Sequence, residues 1–324
     1  MPAPPPHPAP GWSETALGAL LATLERPDHW VVSLAGFLAR GGVLLFLLPI
    51  TVLPTPAGLQ ADLSPLLVPL VFGQLSPGLV LLGAALVGLA ALWVVVGGLV
   101  GAWADRLVAL DLASGAAPPP DRRGRVVPLV CAARLLAHLP LGLALAWGAV
   151  PIAQSAYDEL VTPFEVVTPL VVRIVSTVPG ALAVVLLTWL LGEAAGGLAA
   201  REVALGGRSV VDATLRGWLA LARRPIAGVA TTGLGTLVVL LAVAPALVAA
   251  GVAWGSARYL LFSDVSGPEL ALALLAFVSL WLGGLVLAGM ATTFRAALWT
   301  GEWLRQRPQP ALRRPRHGAD PSVV

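Results

Sequence analysis

Six long apolar segments set the strongest limit on what this chain can fold into. The hydrocarbon core of a bilayer is about 30 Å thick, which a helix of about 20 residues crosses at a rise of 1.5 Å per residue. Segments of this length cover residues 29–53, 78–104, 126–150, 169–199, 225–254 and 269–298. We therefore predict an all-α integral membrane protein with six transmembrane helices.

The composition excludes a soluble domain. Charged residues make up only 11% of the chain and apolar residues 57%, whereas a soluble domain carries roughly a quarter charged residues. The formal net charge is +3. The arginines lie between the apolar segments and form no basic domain, which argues against nucleic acid as a partner. The partners expected instead are membrane lipids, with anionic lipids a candidate, and a protein partner or a second copy of the chain.

The two ends of the chain differ from its middle. The sequence opens with "MPAPPPHPAP", which has no basic region ahead of an apolar one, so no cleavable signal peptide is expected. We predict a disordered Pro-rich tail over residues 1–12, a six-helix membrane domain over 13–305 and a disordered, basic cytoplasmic tail over 306–324. The single cysteine, Cys131, leaves no partner for an intrachain disulfide.

The arginines predict the orientation in the membrane, because cytoplasmic loops carry the excess of positive charge. Fifteen arginines lie before the first span, in the second and fourth loops and after the sixth span, whereas the first, third and fifth loops contain only Arg258. Both termini are therefore expected in the cytoplasm. For a bacterial-type cell the predicted location is the inner (plasma) membrane.

The fourth loop contains a predicted amphipathic helix. Ser209 followed by Asp212 is typical of a helix N-terminus, and Arg224 before Pro225 is expected to end the helix. The apolar face comprises Leu215, Trp218, Leu219 and Ala222, and the basic flank comprises Arg216, Arg223 and Arg224. Such a helix lies in the membrane interface. It either only positions the fifth span or also binds anionic lipids, where a surface arginine contributes about 1 kcal/mol.

An internal repeat is the next hypothesis. "ETALGALLATLERP" (14–27) aligns without gaps with "DATLRGWLALARRP" (212–225). The small-residue motifs Gly97/Gly101 and Gly192/Gly196 are each followed by an arginine at the same spacing. These patterns suggest three repeated helical hairpins with cytoplasmic amphipathic helices, although the Ala, Leu and Gly bias of the chain produces some similarity by itself. The glycines are expected to bring neighbouring helices close together.

Charged residues inside the spans form a candidate polar cluster, because such groups are costly in lipid and face a partner or a water-filled cavity. Its members are Arg40, Arg134, His138 and Glu193. Glu193 and Arg134 are each expected about 12 Å inside the cytoplasmic boundary, so we predict that they pair, with Arg40 as the competing partner of Glu193. Arg173 is expected to extend outward. Prolines 49, 140, 179 and 245 are expected to kink the spans or free a carbonyl group.

No catalytic signature accompanies this cluster. The histidines have no metal-binding spacing, and the chain has neither a Walker loop nor a G-x-S-x-G motif. We therefore predict no catalytic residue, no cofactor and no metal.

The segments "GGLVGAWADR" (97–106) and "GEAAGGLAAREVALGGRSVVDATLRGWLALARRP" (192–225), together with the helix before the first span, resemble a broad group of six-helix bacterial membrane domains of unknown function. The membrane domain of some glycerophosphoryl diester phosphodiesterases is similar. The resemblance covers residues 12–305 and implies the six-helix fold. It implies no phosphodiesterase activity, because the catalytic domain is missing from this sequence.

Three classes of function remain. The first is an accessory or structural membrane protein that acts in lipid organisation, envelope assembly or a partner complex. The second is a small transporter or exporter with a polar path through Arg134, His138 and Glu193. The third is an intramembrane enzyme, which requires paired polar catalysts at one depth. The first class fits the sequence best, because the spans are very apolar and lack catalytic motifs.

Overall fold

The computed structural model describes residues 11–52, 72–114, 126–161, 168–263 and 267–307, together with part of the segment 54–69, and has no strand among them. Its helices are α1 (Trp12–Glu25), α2 (Pro27–Phe37), α3 (Val43–Leu47), α4 (Pro77–Leu112), α5 (Val126–Ala137), α6 (Leu139–Val161), α7 (Leu170–Thr177), α8 (Pro179–Ala204), α9 (Val210–Arg223), α10 (Pro225–Phe262) and α11 (Pro268–Arg305). The two predicted tails lie almost entirely outside the described residues.

Six of the helical segments are long and apolar enough to cross a membrane, as the sequence predicts. They are Pro27–Leu47, Pro77–Leu112, Leu139–Glu159, Pro179–Ala204, Pro225–Phe262 and Pro268–Arg305. The predicted bounds of 126–150 and 169–199 are wrong, whereas the expected interruption of these spans at Pro140 and Pro179 is confirmed. The chain breaks at His138, two residues before Pro140, and at Val178 before Pro179, because a proline removes a backbone donor and clashes with the preceding turn. Pro245 lies inside the unbroken helix α10.

The first membrane-length segment is interrupted by a π-helical turn over Leu38–Gly42, which carries Arg40. Within this turn Gly41 has a φ of 110°, a conformation that favours glycine. The segment ends at Leu47, before Pro49, and so is shorter than the predicted 29–53. The turn therefore places a charged residue at an irregular point of an otherwise apolar helix.

The tightest packing lies at one end of the bundle. The C-terminal parts of α4, α8 and α11 meet there and bury mainly small residues, with α1, α5 and α9 packed around them. We call this the arginine-rich end. By contrast, every residue of α4 from 80 to 96 is exposed. The protein thus has a close-packed end and an apolar end whose helix surfaces are largely uncovered.

Helices α1 and α9 are matched in geometry. Each has 14 residues, and each ends at an arginine that precedes the proline of the next helix. The backbone angles are φ −126°, ψ 73° at Arg26 and φ −136°, ψ 62° at Arg224. Helix α9 begins as predicted, since the hydroxyl of Ser209 accepts a hydrogen bond from the backbone N–H of Asp212 at 3.4 Å.

Candidate functional site

The centre of the candidate site is Asp105, near the C-terminal end of α4. Its carboxylate lies 2.7 Å from Arg40 in the π-helical turn and 3.2 Å from Arg134 on α5. The three side chains are mostly buried, and they join three separate helical segments. Asp105 therefore connects the first two membrane-length segments and the shorter helix α5 through charge.

A second carboxylate, Glu193 on α8, forms the other half of the cluster. It contacts Arg295 of α11, and its carboxylate lies 3.4 Å from Nε2 of His138. The predicted pair of Arg134 with Glu193 is wrong, because Arg134 pairs with Asp105 and Glu193 pairs with Arg295. The competing proposal that Arg40 pairs with Glu193 is wrong for the same reason.

Arg201 completes the cluster, and no carboxylate of the described residues forms a salt bridge with it. Its guanidinium donates to the backbone carbonyl oxygens of Ala296 at 3.0 Å and Gly197 at 3.3 Å. The predicted fourth span ends at residue 199, which assigns Arg201 to the arginines of the fourth loop. That assignment is wrong, because Arg201 lies inside α8 and is only 1% exposed. Because Gly197 lies on α8 and Ala296 lies on α11, Arg201 links α8 to α11.

Each of the four predicted glycines lies at a close approach to a neighbouring segment. An added Cβ would lie 2.1 Å from the carbonyl oxygen of Ala39 at Gly97 and 1.8 Å from Nε of Arg40 at Gly101. At Gly192 it would lie 2.8 Å from the ring of His138, and at Gly196 it would lie 3.4 Å from that ring. Gly101 thus makes room for the side chain of Arg40, and Gly192 makes room for the ring of His138.

Two irregular points of the backbone coincide with this cluster. The chain breaks at His138, whose Nδ1 lies 2.8 Å from the carbonyl oxygen of Arg134, and the π-helical turn carries Arg40. Free backbone groups are tolerated at membrane depth only where other protein groups or water satisfy them. The charged side chains and the irregular backbone therefore occupy the same region of the bundle.

Arg173 lies elsewhere and has its own partner. It contacts the carboxylate of Glu159 on α6, with Nε 2.6 Å from the nearer oxygen. The sequence did not predict this ion pair, which joins α6 to α7.

The sequence interpretation missed Asp105 and Arg295. Asp105 follows Gly97 and Gly101 at the same four-residue spacing, so all three share one helix face, and this signal could have found it. Arg295 lies inside the predicted span 269–298, so the rule that selected the other charged residues could have found it too.

The surface of α9 differs partly from the prediction. Leu215 and Leu219 are exposed, but Trp218 is partly buried against a cluster that includes Trp299 and Trp303. The opposite face of the helix packs on α8, where a Cβ added to Gly217 would lie 2.4 Å from the carbonyl oxygen of Ala195. The exposed apolar surface of α9 is therefore narrower than the sequence predicts.

The predicted basic flank of this helix is at the surface. Arg216 and Arg208 each lie 2.9 Å from Asp212 and hold the pKa of its carboxyl below its usual range through hydrogen bonds. Among the described residues, neither Arg223 nor Arg224 forms a salt bridge. These two guanidinium groups retain an uncompensated positive charge next to the start of α10.

Within the described part of the chain, no group of three or more His, Cys, Asp or Glu side chains could hold a metal ion. The sequence and the fold were also compared with known proteins. No family model, no curated protein and no solved structure matches this chain.

Proposed function

We propose that this chain is a non-catalytic, multi-pass protein of a bacterial-type plasma membrane that binds anionic lipids at its arginine-rich end and has an accessory role in lipid organisation. The observation that carries the proposal is the surface of α9. Leu215 and Leu219 are exposed there beside Arg216, Arg223 and Arg224. An apolar surface flanked by arginines suits the interface of an anionic leaflet, where it gains both apolar burial and electrostatic attraction.

The charged cluster supports a structural role for the interior charges. Asp105 and Glu193 join segments that are distant in sequence, and Arg201 bonds to backbone carbonyl oxygens of α8 and α11. Contacts of this kind hold one packing arrangement in place. The interior charges therefore brace the end of the bundle that presents the lipid-binding surface.

The proposed orientation places the arginine-rich end in the cytoplasm. The basis is the excess of arginines in the alternate loops and at both termini, which is typical of cytoplasmic segments. The anionic lipids concerned are those of the cytoplasmic leaflet, whose negative surface potential attracts arginine side chains.

We also propose that the chain binds a protein partner or a second copy of itself. The face of α4 from 80 to 96 is apolar and exposed, so lipid tails or another helix cover it in a membrane. The kinship with six-helix bacterial membrane domains and the origin of the chain by duplication of a helical hairpin are proposals as well. The equal lengths and matching ends of α1 and α9 support the duplication.

A transporter is the second candidate, and one observation favours it. The break at His138 and the π-helical turn at Arg40 lie beside Asp105 and Glu193. Interrupted helices near charged groups are typical of substrate sites in secondary transporters. On this alternative Arg134, His138 and Glu193 line a polar path.

The deciding experiment is purification of the full chain in a mild detergent, followed by mass spectrometry of the proteins and lipids that remain bound. We expect enrichment of anionic phospholipids relative to the bulk membrane extract. Unenriched anionic lipid would contradict the proposed function. Proton or solute flux in proteoliposomes that is lost in Glu193→Gln, with thermal stability retained, would instead support the transporter.

A further inference from the structure

The two matched helix ends differ in how their arginine is compensated. At the first, Arg26 forms an ion pair with Asp111 from the end of α4. His29 adds to this contact, with Nε2 lying 3.2 Å from the same carboxylate. The protein itself thus supplies an anion at the junction between α1 and α2.

The second junction, between α9 and α10, has an arginine where the first has the carboxylate. A cavity of about 830 Å³ opens there and is lined by Gly11, Trp12, Arg223, Arg224, Pro225, Ile226, Ala227, Ala230 and Arg305. The lining includes three arginines and no carboxylate. Where the end of α4 contributes Asp111, the end of α11 contributes Arg305.

The three arginines of this cavity differ in whether a carboxylate neutralises their charge. Arg305 contacts Glu302, with Nε and Nη2 each donating over 2.9 Å to the carboxylate. Arg223 and Arg224 form no salt bridge among the described residues. The neighbouring cavity of about 570 Å³ shares Arg223 and Arg224 with this one, and its other arginines each contact a carboxylate: Arg208 and Arg307 contact Glu202, and Arg216 contacts Asp212. The excess of positive charge is therefore concentrated at the α9–α10 junction.

The apolar part of the cavity wall indicates a second property of the ligand. It includes Trp12 and Ile226, and Ile226 is 85% exposed. Val229, one turn further along α10, is exposed as well, so the apolar surface continues from the cavity along a helix that can cross the membrane. A ligand that matches both parts carries an anionic group and an apolar tail.

We propose that the α9–α10 junction is a specific binding site for an anionic phospholipid, with the phosphate held by Arg223, Arg224 and Arg305 in the place that Asp111 occupies at the first junction. The acyl chains lie along Ile226 and the exposed face of α10. Arginine is suited to this role, because its planar fork binds phosphate through two hydrogen bonds. This inference rests on the proposed function and assigns it to one site.

Native mass spectrometry of the detergent-purified full chain, titrated with phosphatidylglycerol and separately with phosphatidylcholine, tests the site. A surface arginine near an anionic leaflet contributes about 1 kcal/mol, or about fivefold in affinity. The double variant Arg223→Gln/Arg224→Gln should therefore bind phosphatidylglycerol about 25-fold more weakly than the wild type. The matched control is Arg258→Gln near the opposite end of α10, which lies outside this cavity and should change the affinity less than twofold.

A second variant introduces a carboxylate at the α9–α10 junction. Ala227→Asp places an acidic side chain in the cavity lining, as Asp111 is placed at the first junction, and should weaken phosphatidylglycerol binding without lowering the thermal midpoint. Inorganic phosphate at millimolar concentration should not displace the lipid. Displacement by phosphate would overturn the lipid assignment in favour of a free anion.

The titrations distinguish failure of this binding site from failure of the proposed function. A wild type that prefers phosphatidylglycerol, together with unchanged binding in both cavity variants, would overturn this site and leave the proposed function standing. A wild type with equal affinity for both lipids would overturn the site and the proposed function together.

Discussion

The guanidinium of Arg134 lies 3.2 Å from the carboxylate of Asp105, which also pairs with Arg40. Asp105→Asn should therefore leave two mostly buried arginines without their counter-charge. Breaking a buried ion pair from one side costs about 3–5 kcal/mol. We expect a clear fall in the unfolding midpoint in detergent, monitored by tryptophan fluorescence. Asp212→Asn, which removes an exposed carboxylate, is the control and should have little effect; equal falls in both variants would contradict the bracing role of Asp105.

A double-mutant cycle should distinguish the partners of Glu193. Glu193→Gln and Arg295→Gln remove the two sides of one contact, so the double variant should be more stable than the sum of the single losses predicts. The coupling between contacting residues is on the order of 0.5–3 kcal/mol. The cycle of Glu193 with Arg134 should give a smaller coupling, because Arg134 contacts Asp105. A larger coupling with Arg134 than with Arg295 would restore the pair predicted from sequence.

Two glycines on α4 should respond differently to the same substitution. A Cβ at Gly97 would lie 2.1 Å from the carbonyl oxygen of Ala39. A Cβ at Gly88 would lie more than 4 Å from the atoms of the other described segments. Gly97→Ala should destabilise the protein by about 1–3 kcal/mol through overpacking. Gly88→Ala should be neutral or stabilising, because alanine favours a helix more than glycine does. Thermal unfolding of the two variants decides, and a harmless Gly97→Ala would contradict the close approach.

The sequence was sufficient to predict the six apolar helices, because bilayer thickness sets their length directly. It also predicted that α9 begins after Ser209 and ends before Pro225, since both ends depend on local chemistry. The ion pairs were not predictable in the same way. Glu193 has Arg134 and Arg295 at accessible depths, and the choice between them depends on how α5 and α11 pack against α8. The break at His138 changes that packing, and no local rule specified which side of the helix would face Arg134.

Cysteine labelling should establish the orientation. In a Cys131→Ser background, a cysteine at Ser266 should react with an impermeant maleimide added outside intact cells, and one at Ser209 should react only after the cells are permeabilised. The basis is the arginine excess on the side of Ser209. Labelling of Ser209 in intact cells, with Ser266 protected, would reverse the orientation.

Lipid-dependent thermal stability tests the central claim most directly. A lipid that binds only the folded state stabilises it, by about 1.4 kcal/mol at a free concentration ten times the Kd. The unfolding midpoint of the wild type should rise when phosphatidylglycerol is added to detergent-purified protein and should not rise with phosphatidylcholine. The rise should disappear in Arg223→Gln/Arg224→Gln but persist in Arg258→Gln. A midpoint that responds equally to the two lipids would contradict anionic-lipid binding at the arginine-rich end.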